Sequence, residues 1–256
     1  MFVPLLMMLG VSAGTSPPPV LRLLTYNIHH AAGQDGRVDV ARVAAVIQAE
    51  APDVVCLQEV DQGLSRTKRR DLGTELAKLL AMQVVFGPNY HFDGGAYGNA
   101  TLTALPIVAH ENVALPAPEG GEPRGALRVR VHTALGPLDV WNTHWSLDPA
   151  VRARQGAAML ERLVPEMAVI VAGDFNEGRT GQGLAALQTQ LSAGPACETA
   201  TYPSDAPQVR IDHVLAGGGV VVERARIVDT ALAREASDHL PVVAELRAAT
   251  PAGPSA

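Results

Sequence analysis

From Leu21 onward the chain alternates short, continuous apolar runs with stretches whose apolar positions recur at helical spacing. Residues 21–28 (LRLLTYNI), 53–58 (DVVCLQ), 138–143 (LDVWNT), 168–172 (AVIVA), 209–215 (VRIDHVL) and 239–246 (HLPVVAEL) read as strands. Between them, Val40, Val43, Val46 and Ile47 share one face of a helix over 39–50 that Pro52 ends. Leu72, Leu76, Leu79 and Leu80 do the same over 71–81, and 183–191 reads as another helix. Asp148 followed by Pro149 fits an N-cap with proline at the first helical position, opening a helix to Leu163.

Runs such as VVCL and VIVA show no polar alternation, so these strands are buried on both faces, under helices or a second sheet. Strands interleaved with helices place the chain in the layered α/β or α+β classes. No Pro/Gly/Ser linker and no internal repeat divides 21–247, which reads as one domain followed by a frayed tail at 248–256.

The polar residues that end the apolar runs carry the chemistry. Gln58-Glu59 follows VVCL, Asp174-Phe175-Asn176 follows VIVAG, and His144 follows VWNT. Asp212-His213 follows VRI, and Asp238-His239 follows Ala236-Ser237. A carboxylate at the end of a buried strand is costly to desolvate and needs a cation, metal or hydrogen-bond partner. One such terminus is ordinary, but a set built only from Asp, Glu, Asn and His suggests a shared site. In an extended segment Asp174 and Asn176 would point to the same side. Hard oxygen ligands without a thiolate pair favour Mg²⁺ or Mn²⁺ over structural zinc.

Each residue taken alone also has a plain structural reading. Asp174 or Asn176 suits a turn before Gly178, Glu59 suits an exposed strand end, and His213 suits a satisfied histidine on a sheet face. His29 and His30 follow a strand as loop residues near the site, with no assigned task. Cys56 reads as a small buried hydrophobe. Arg66, Lys68, Arg69 and Arg70 form a basic run that is either a solvated loop or a phosphate-facing rim.

Composition narrows the functional classes. With 256 residues and 47% hydrophobic content, a sizeable core is available and wholesale disorder is excluded. Aromatic residues are only 4% of the chain, which argues against stacking platforms for single-stranded nucleic acid. The net charge of −6 makes a poor general polyanion binder, although a local basic cleft remains compatible with it. Cys56 and Cys197 cannot by themselves make a disulfide-rich scaffold or a structural zinc site.

Residues 1–20 carry no charged side chain, and the apolar stretch Phe2–Val11 has the length of a signal-peptide core. It is shorter than the roughly 20 residues of a membrane span. The segment reads as a signal for export to the periplasm or medium. The missing basic n-region leaves the alternative of a mis-assigned start and a cytoplasmic protein.

Taken in order, TYNI at Asn27, LQEVD at Glu59, GNATLTALPI at Asn99, EPRGAL at Arg124, NTH at His144, GDFN at Asp174 and Asn176, IDHV at Asp212 and SDHLPV at Asp238 and His239 form one pattern over residues 22–247. This pattern resembles the endonuclease/exonuclease/phosphatase superfamily, which includes pancreatic-type deoxyribonuclease, abasic-site endonucleases, neutral sphingomyelinases and inositol-polyphosphate 5-phosphatases. The resemblance implies an α+β fold, a four-layer α/β/β/α sandwich of two packed mixed sheets flanked by helices. It implies Glu59 as the principal Mg²⁺ ligand, Asn27 beside it on metal or phosphate, and Asp238 supporting the metal region. Asp174 and Asn176 would orient the attacking water, with Asp174 also a candidate metal ligand. His239 would hydrogen-bond the scissile phosphate or carry a proton, held by Asp212. His144 and Arg124 would contact phosphate oxygens, and Asn99 would line the same cleft.

Thr101 and Thr103 depart mildly from the usual residues of the GN segment, and no long insertion of the kind used to grip duplex DNA is evident. The expected function is therefore a divalent-metal-dependent phosphoesterase, a phosphodiesterase acting as a monomer on a small or lipid-derived phosphoester. A non-specific nuclease and a non-catalytic phosphate-binding module are the alternatives. Substrate choice is assigned to loops 30–37, 61–71, 88–98 and 116–125.

Overall fold

The computed structural model describes residues 19–195 and 199–249. The leader at 1–18, Cys197 and the tail TPAGPSA lie outside the described residues. In chain order the strands are β1 (Leu21–Asn27), β2 (Val54–Gln62), β3 (Gln83–Phe92), β4 (Gly95–Thr103), β5 (Ile107–Ala114), β6 (Gly125–Thr133), β7 (Gly136–His144), β8 (Val169–Asp174), β9 (Asp212–Gly217), β10 (Val220–Ile227) and β11 (Val242–Ala248). The helices are α1 (Val40–Glu50), α2 (Leu72–Leu80), α3 (Pro149–Leu160), α4 (Gln182–Leu187) and α5 (Ala231–Ala236).

The strands form two mixed sheets, ordered β10-β11-β1-β2-β4-β3 and β5-β6-β7-β8-β9. The pairs β1–β2 and β7–β8 are parallel and the remaining pairs antiparallel. Period-two alternation sorts each strand between a shared inner face and an outer, helix-covered face. Leu23, Val54, Val140, Ile170, Val214 and Val242 meet between the sheets. Leu24, Tyr26, Val55 and Leu57 face outward onto Val43, Ile47, Leu72 and Ala233 of α1, α2 and α5. On the opposite side Trp141, Val171, Phe175 and Leu215 pack on Met159, Leu184 and Leu187 of α3 and α4. The result is the four-layer α/β/β/α sandwich of the α+β class.

Side-chain caps fix several helix starts: Asp39 accepts from the Arg42 amide, Asp71 from Thr74 and Asp148 from Ala150. No helix among the described residues is long and apolar enough to cross a membrane.

Several boundaries differ from the sequence expectation. The helix read over 183–191 stops at Leu187, and the one opened by Asp148 stops at Leu160. The strand read over 209–215 is Asp212–Gly217, and the one read over 239–246 begins at Val242 and runs into the expected tail as far as Ala248. Segment 88–98, expected as a loop, belongs to the β3–β4 hairpin. Strands β3, β5 and β10 were not legible because they lie at sheet edges: β5 keeps only Ile107 and Val113 partly covered, so it lacks an apolar period.

Candidate active site

The inner faces are apolar at one end of the sandwich and turn polar toward the other. Along β7 the inward series runs Leu138, Val140, Asn142, His144, and along β8 it runs Ile170, Ala172, Asp174. The register aligns His144 with Asp174 and Asp174 with Asp212, so three neighbouring strands present three titratable groups in one row. The close approach of β7 and β8 requires the glycine of GDFN. Gly173 has φ +153°, and a Cβ there would lie 1.9 Å from the Thr143 carbonyl oxygen.

A hydrogen-bonded layer separates this row from the apolar core. Gln58 Nε2 donates to Asn142 Oδ1 at 2.7 Å, joining the two sheets, and Asn142 Nδ2 donates to the carbonyls of Leu57 and Ala100 at 3.1 and 2.9 Å. Asn99 lies here as well. Its Nδ2 donates to the carbonyls of Gly125 and Asn142 at 3.0 and 3.3 Å, so its amide is engaged by backbone beneath the cavity rather than lining it.

Glu59 is not a strand end. Strand β2 continues to Gln62, and Glu59 sits at a register shift between Leu57 and Val60 with φ 59°. A bulge of this kind re-aims a side chain that a regular strand would send elsewhere. Asn27 Nδ2 donates to Glu59 Oε1 at 3.1 Å and to Asp174 Oδ2 at 3.0 Å. The two carboxylate oxygens therefore lie no farther apart than the sum of those distances. Asp174 and Asn176 do meet at the same cavity, but not through extended geometry. Asn176 is past the strand end at φ 51°, its amide N–H donates to Asp174 Oδ1 at 2.9 Å, and its Nδ2 donates to the Trp145 carbonyl at 3.0 Å.

Asp174 is almost fully buried, with His144 Nε2 at 3.4 Å and His239 Nε2 at 3.7 Å. Burial, reinforced by the nearby Asp212 charge, pushes its carboxyl up to about 7 against the opposing pull of His239. His239 Nδ1 lies 2.9 Å from Asp212 Oδ2. Burial pulls this imidazole down, but the carboxylates of Asp212 and Asp174 outweigh it and raise His239 to about 10.

His144 behaves in the opposite way. Burial, then the Arg124 and His239 charges, hold it well below the usual histidine value. Arg124 Nη1 approaches His144 Nδ1 at 2.9 Å. A guanidinium only donates, so Nδ1 is the acceptor and the neutral ring carries its proton on Nε2, facing Asp174. Arg124 is itself paired with Glu122 at 2.8 Å. Asp238 borders the site, its Oδ1 lying 3.3 Å from the Ser237 hydroxyl and 4.0 Å from His29 Nδ1.

The donor set suits a hard divalent cation. Among the described residues, no Lys or Arg pairs with Glu59, Asp174 or Asp238, and the buried Asp212 Oδ1 has no hydrogen-bond partner. Ligand atoms of Asp174, Asp212 and His239 lie within 4.8 Å of one another, as do those of His29, His30 and Glu59. His213, next to Asp212, faces the outer layer instead: its Nε2 lies 2.9 Å from the Glu177 carbonyl and its ring meets Phe175.

The cavity measures about 400 Å³. Glu59, Arg124, His144, Asp174, Asn176, Asp238 and His239 line it together with Arg66, Tyr90, Phe92, Tyr97, Glu122, Leu147, Tyr202 and Ile211. The second group was not assigned from sequence, although Arg66 belongs to the basic run singled out there. Tyr90 and Phe92 carried one usable signal, the i, i+2 spacing that puts them on one strand face.

Comparison with known proteins places this geometry. The model of the Endonuclease/Exonuclease/phosphatase family matches residues 24–239. The uncharacterized protein YbhP of Escherichia coli K12 is 29% identical over 254 residues, covering 88% of this chain and 95% of YbhP. An endonuclease/exonuclease/phosphatase from Beutenbergia cavernae is 28% identical with a TM-score of 0.72, covering 90% of this chain and 72% of that one. The mannosyl-6-phosphatase Bt3783 of Bacteroides thetaiotaomicron shares the fold, with a TM-score of 0.71 at 19% identity over 88% of this chain and 99% of that one.

Proposed function

This chain belongs to the endonuclease/exonuclease/phosphatase family, and we propose that within it the protein is a divalent-metal-dependent phosphodiesterase acting on a small or lipid-derived phosphoester. The observation that carries the reading is the buried Asp174 carboxylate. It is shared by Asn27, His144 and His239, stands beside Glu59, and has no arginine or lysine partner among the described residues.

Glu59, with Asn27 beside it, would hold Mg²⁺ or Mn²⁺, and Asp174 and Asp238 border the same position. A bound cation supplies Lewis-acid neutralisation of charge on the phosphate oxygens. Asp174 and Asn176 orient the attacking water, and the Asp174 carboxylate is placed to accept its proton. His239, kept protonated by Asp212, donates from Nε2 to a phosphoryl oxygen. His144 donates its Nε2 proton to the same group, and Arg124 fixes the tautomer that allows it.

Both arginines lining the cavity are paired with carboxylates, Arg124 with Glu122 and Arg66 with Asp61. A cavity lined, among the described residues, by only these two arginines, in a chain of net charge −6, supports a small substrate over a nucleic-acid polyanion. The export reading rests on the uncharged segment 1–20 alone, and mass spectrometry of the mature N-terminus tests it.

Hydrolysis of bis(p-nitrophenyl) phosphate with Mg²⁺ and with Mn²⁺ tests the activity. Turnover should vanish with EDTA and return with either ion, and Glu59→Ala should abolish the metal dependence together with the rate. Chelator-insensitive turnover, or a Glu59→Ala variant as fast as wild type, would overturn the reading.

A further inference from the structure

We propose that Arg66 anchors a second anion subsite in the same cavity, so that the preferred phosphoester carries another phosphate or carboxylate on its leaving group. The inference rests on the phosphoesterase reading and narrows it.

Within the basic run only Arg66 lines the cavity. Arg69 turns to Asp93 and the Gly63 carbonyl, and Arg70 to Glu75. Arg66 is held from two directions. Its Nε and Nη2 fork onto Asp61 at 2.8 and 2.6 Å, and the Asp61 side chain is 0% exposed. Its Cζ lies 5.9 Å from the Phe92 ring centroid and 5.4 Å from that of Tyr97. A bidentate pair on a buried carboxylate fixes the guanidinium plane, and the two ring contacts fix its position. The Nη1 protons engage no described residue, and the side chain remains 40% exposed.

Tyr97, whose ring Arg66 faces, lines the same cavity as Arg124. Arg124 belongs to the reacting end through His144 at 2.9 Å. Arg66 is thus a second, preorganised cation in the same cavity, beside the Tyr90–Phe92 pair whose centroids are 4.8 Å apart. That arrangement fits a leaving group with an apolar or planar body and a charged end.

Propylphosphonate and propane-1,3-diphosphonate distinguish the two anchors, both as competitive inhibitors of bis(p-nitrophenyl) phosphate hydrolysis and as calorimetric ligands at saturating Mg²⁺. The wild type should bind the diphosphonate at least about tenfold more tightly, the scale of one charge-assisted hydrogen bond. In Arg66→Gln that ratio should fall to near one, with propylphosphonate affinity unchanged. Because Arg66→Gln strands the buried Asp61 charge, the double variant Asp61→Asn/Arg66→Gln is measured beside it and should give the same ratio. Equal weakening of both ligands, a ratio that survives in both variants, or a wild-type ratio near one would overturn the proposal. Calorimetry reads the ratio without turnover, so an inactive wild type would count against the phosphoesterase reading while the Arg66 subsite is still judged on binding.

Discussion

The space between the two sheets is one compartment with two chemistries. At one end Leu23, Val54, Val140, Ile170 and Val242 close it with aliphatic side chains that satisfy their surroundings by excluding water. At the other, Asn27, His144, Asp174, Asp212 and His239 are nearly as buried yet retain charge and hydrogen-bonding demand. Gln58, Asn99 and Asn142 form the boundary by spending their amides on backbone and on one another. The difference shows how one pair of sheets both stabilises itself and presents ionisable groups: the same strands run through both ends, so the rigidity of the apolar end positions the polar one.

The largest expected effect lies at the polar end. His239→Ala and Asp174→Asn should each lower kcat by about 10²–10⁴-fold, the range of a lost acid–base partner. Asp174→Asn should melt close to wild type, whereas His239→Ala strands the buried Asp212 carboxylate and should melt lower. A loss of folding in Asp174→Asn as large as its loss of rate would erase the distinction between the two ends.

At the apolar end Ile170→Ala should destabilise by about 2–5 kcal/mol in urea titrations while leaving kcat per folded molecule unchanged. A collapse of turnover in a stably folded Ile170→Ala protein would mean that the core tunes the chemistry directly.

The boundary layer should give a mixed result. Asn142→Ala removes the donor serving Leu57 and Ala100 and the acceptor serving Gln58, and should cost about 1–3 kcal/mol. A modest fall in kcat should accompany it, because Gln58 precedes Glu59. Stability unchanged in Asn142→Ala would show that the layer does not join the sheets energetically.

The smallest effect contrasts two buried histidines. Burial lowers His213 from the ordinary 6.5 to about 4, so the folded state resists a proton that the unfolded chain accepts. Its contribution is intact above 6.5, declines as the pH falls below that value, and is lost as the pH falls through about 4. At pH 5.5 this amounts to about 1 kcal/mol, and His213→Gln should remove that part of the acid limb in thermal melts. His239 is raised to about 10, so its contribution is complete below 6.5 and lost as the pH rises through about 10. An alkaline limb that persists unchanged in Asp212→Asn would contradict that assignment.

Much of the buried architecture was readable in the chain. Strands β1, β2, β7 and β8 announced themselves because both faces are covered and their residues are apolar almost throughout. The edge strands β3, β5 and β10 stayed hidden because exposure removes the apolar period that would reveal them, whereas β4, buried almost throughout, stayed hidden because its Gly, Asn and Thr residues leave it without an apolar run. For the site, the strand-terminal Asp, Asn and His residues gave a good list, but not the bulge that aims Glu59 or the engagement of Asn99 beneath the cavity. Asp212 and His213 make the point most sharply: adjacent in sequence and both buried, they face opposite layers.

The amino-acid order by itself determined the alternating buried strands, the capped helices and the ordered motifs from Asn27 to His239, because these depend on local periodicity and residue chemistry. Only the tertiary structure decided which of those residues meet. Strand register aligned His144, Asp174 and Asp212, a left-handed bulge residue delivered Glu59, and the β3–β4 hairpin brought Phe92 and Tyr97 against Arg66. The physical reason is that proximity across a sheet is fixed by pairing between segments far apart in the chain, which no local pattern encodes.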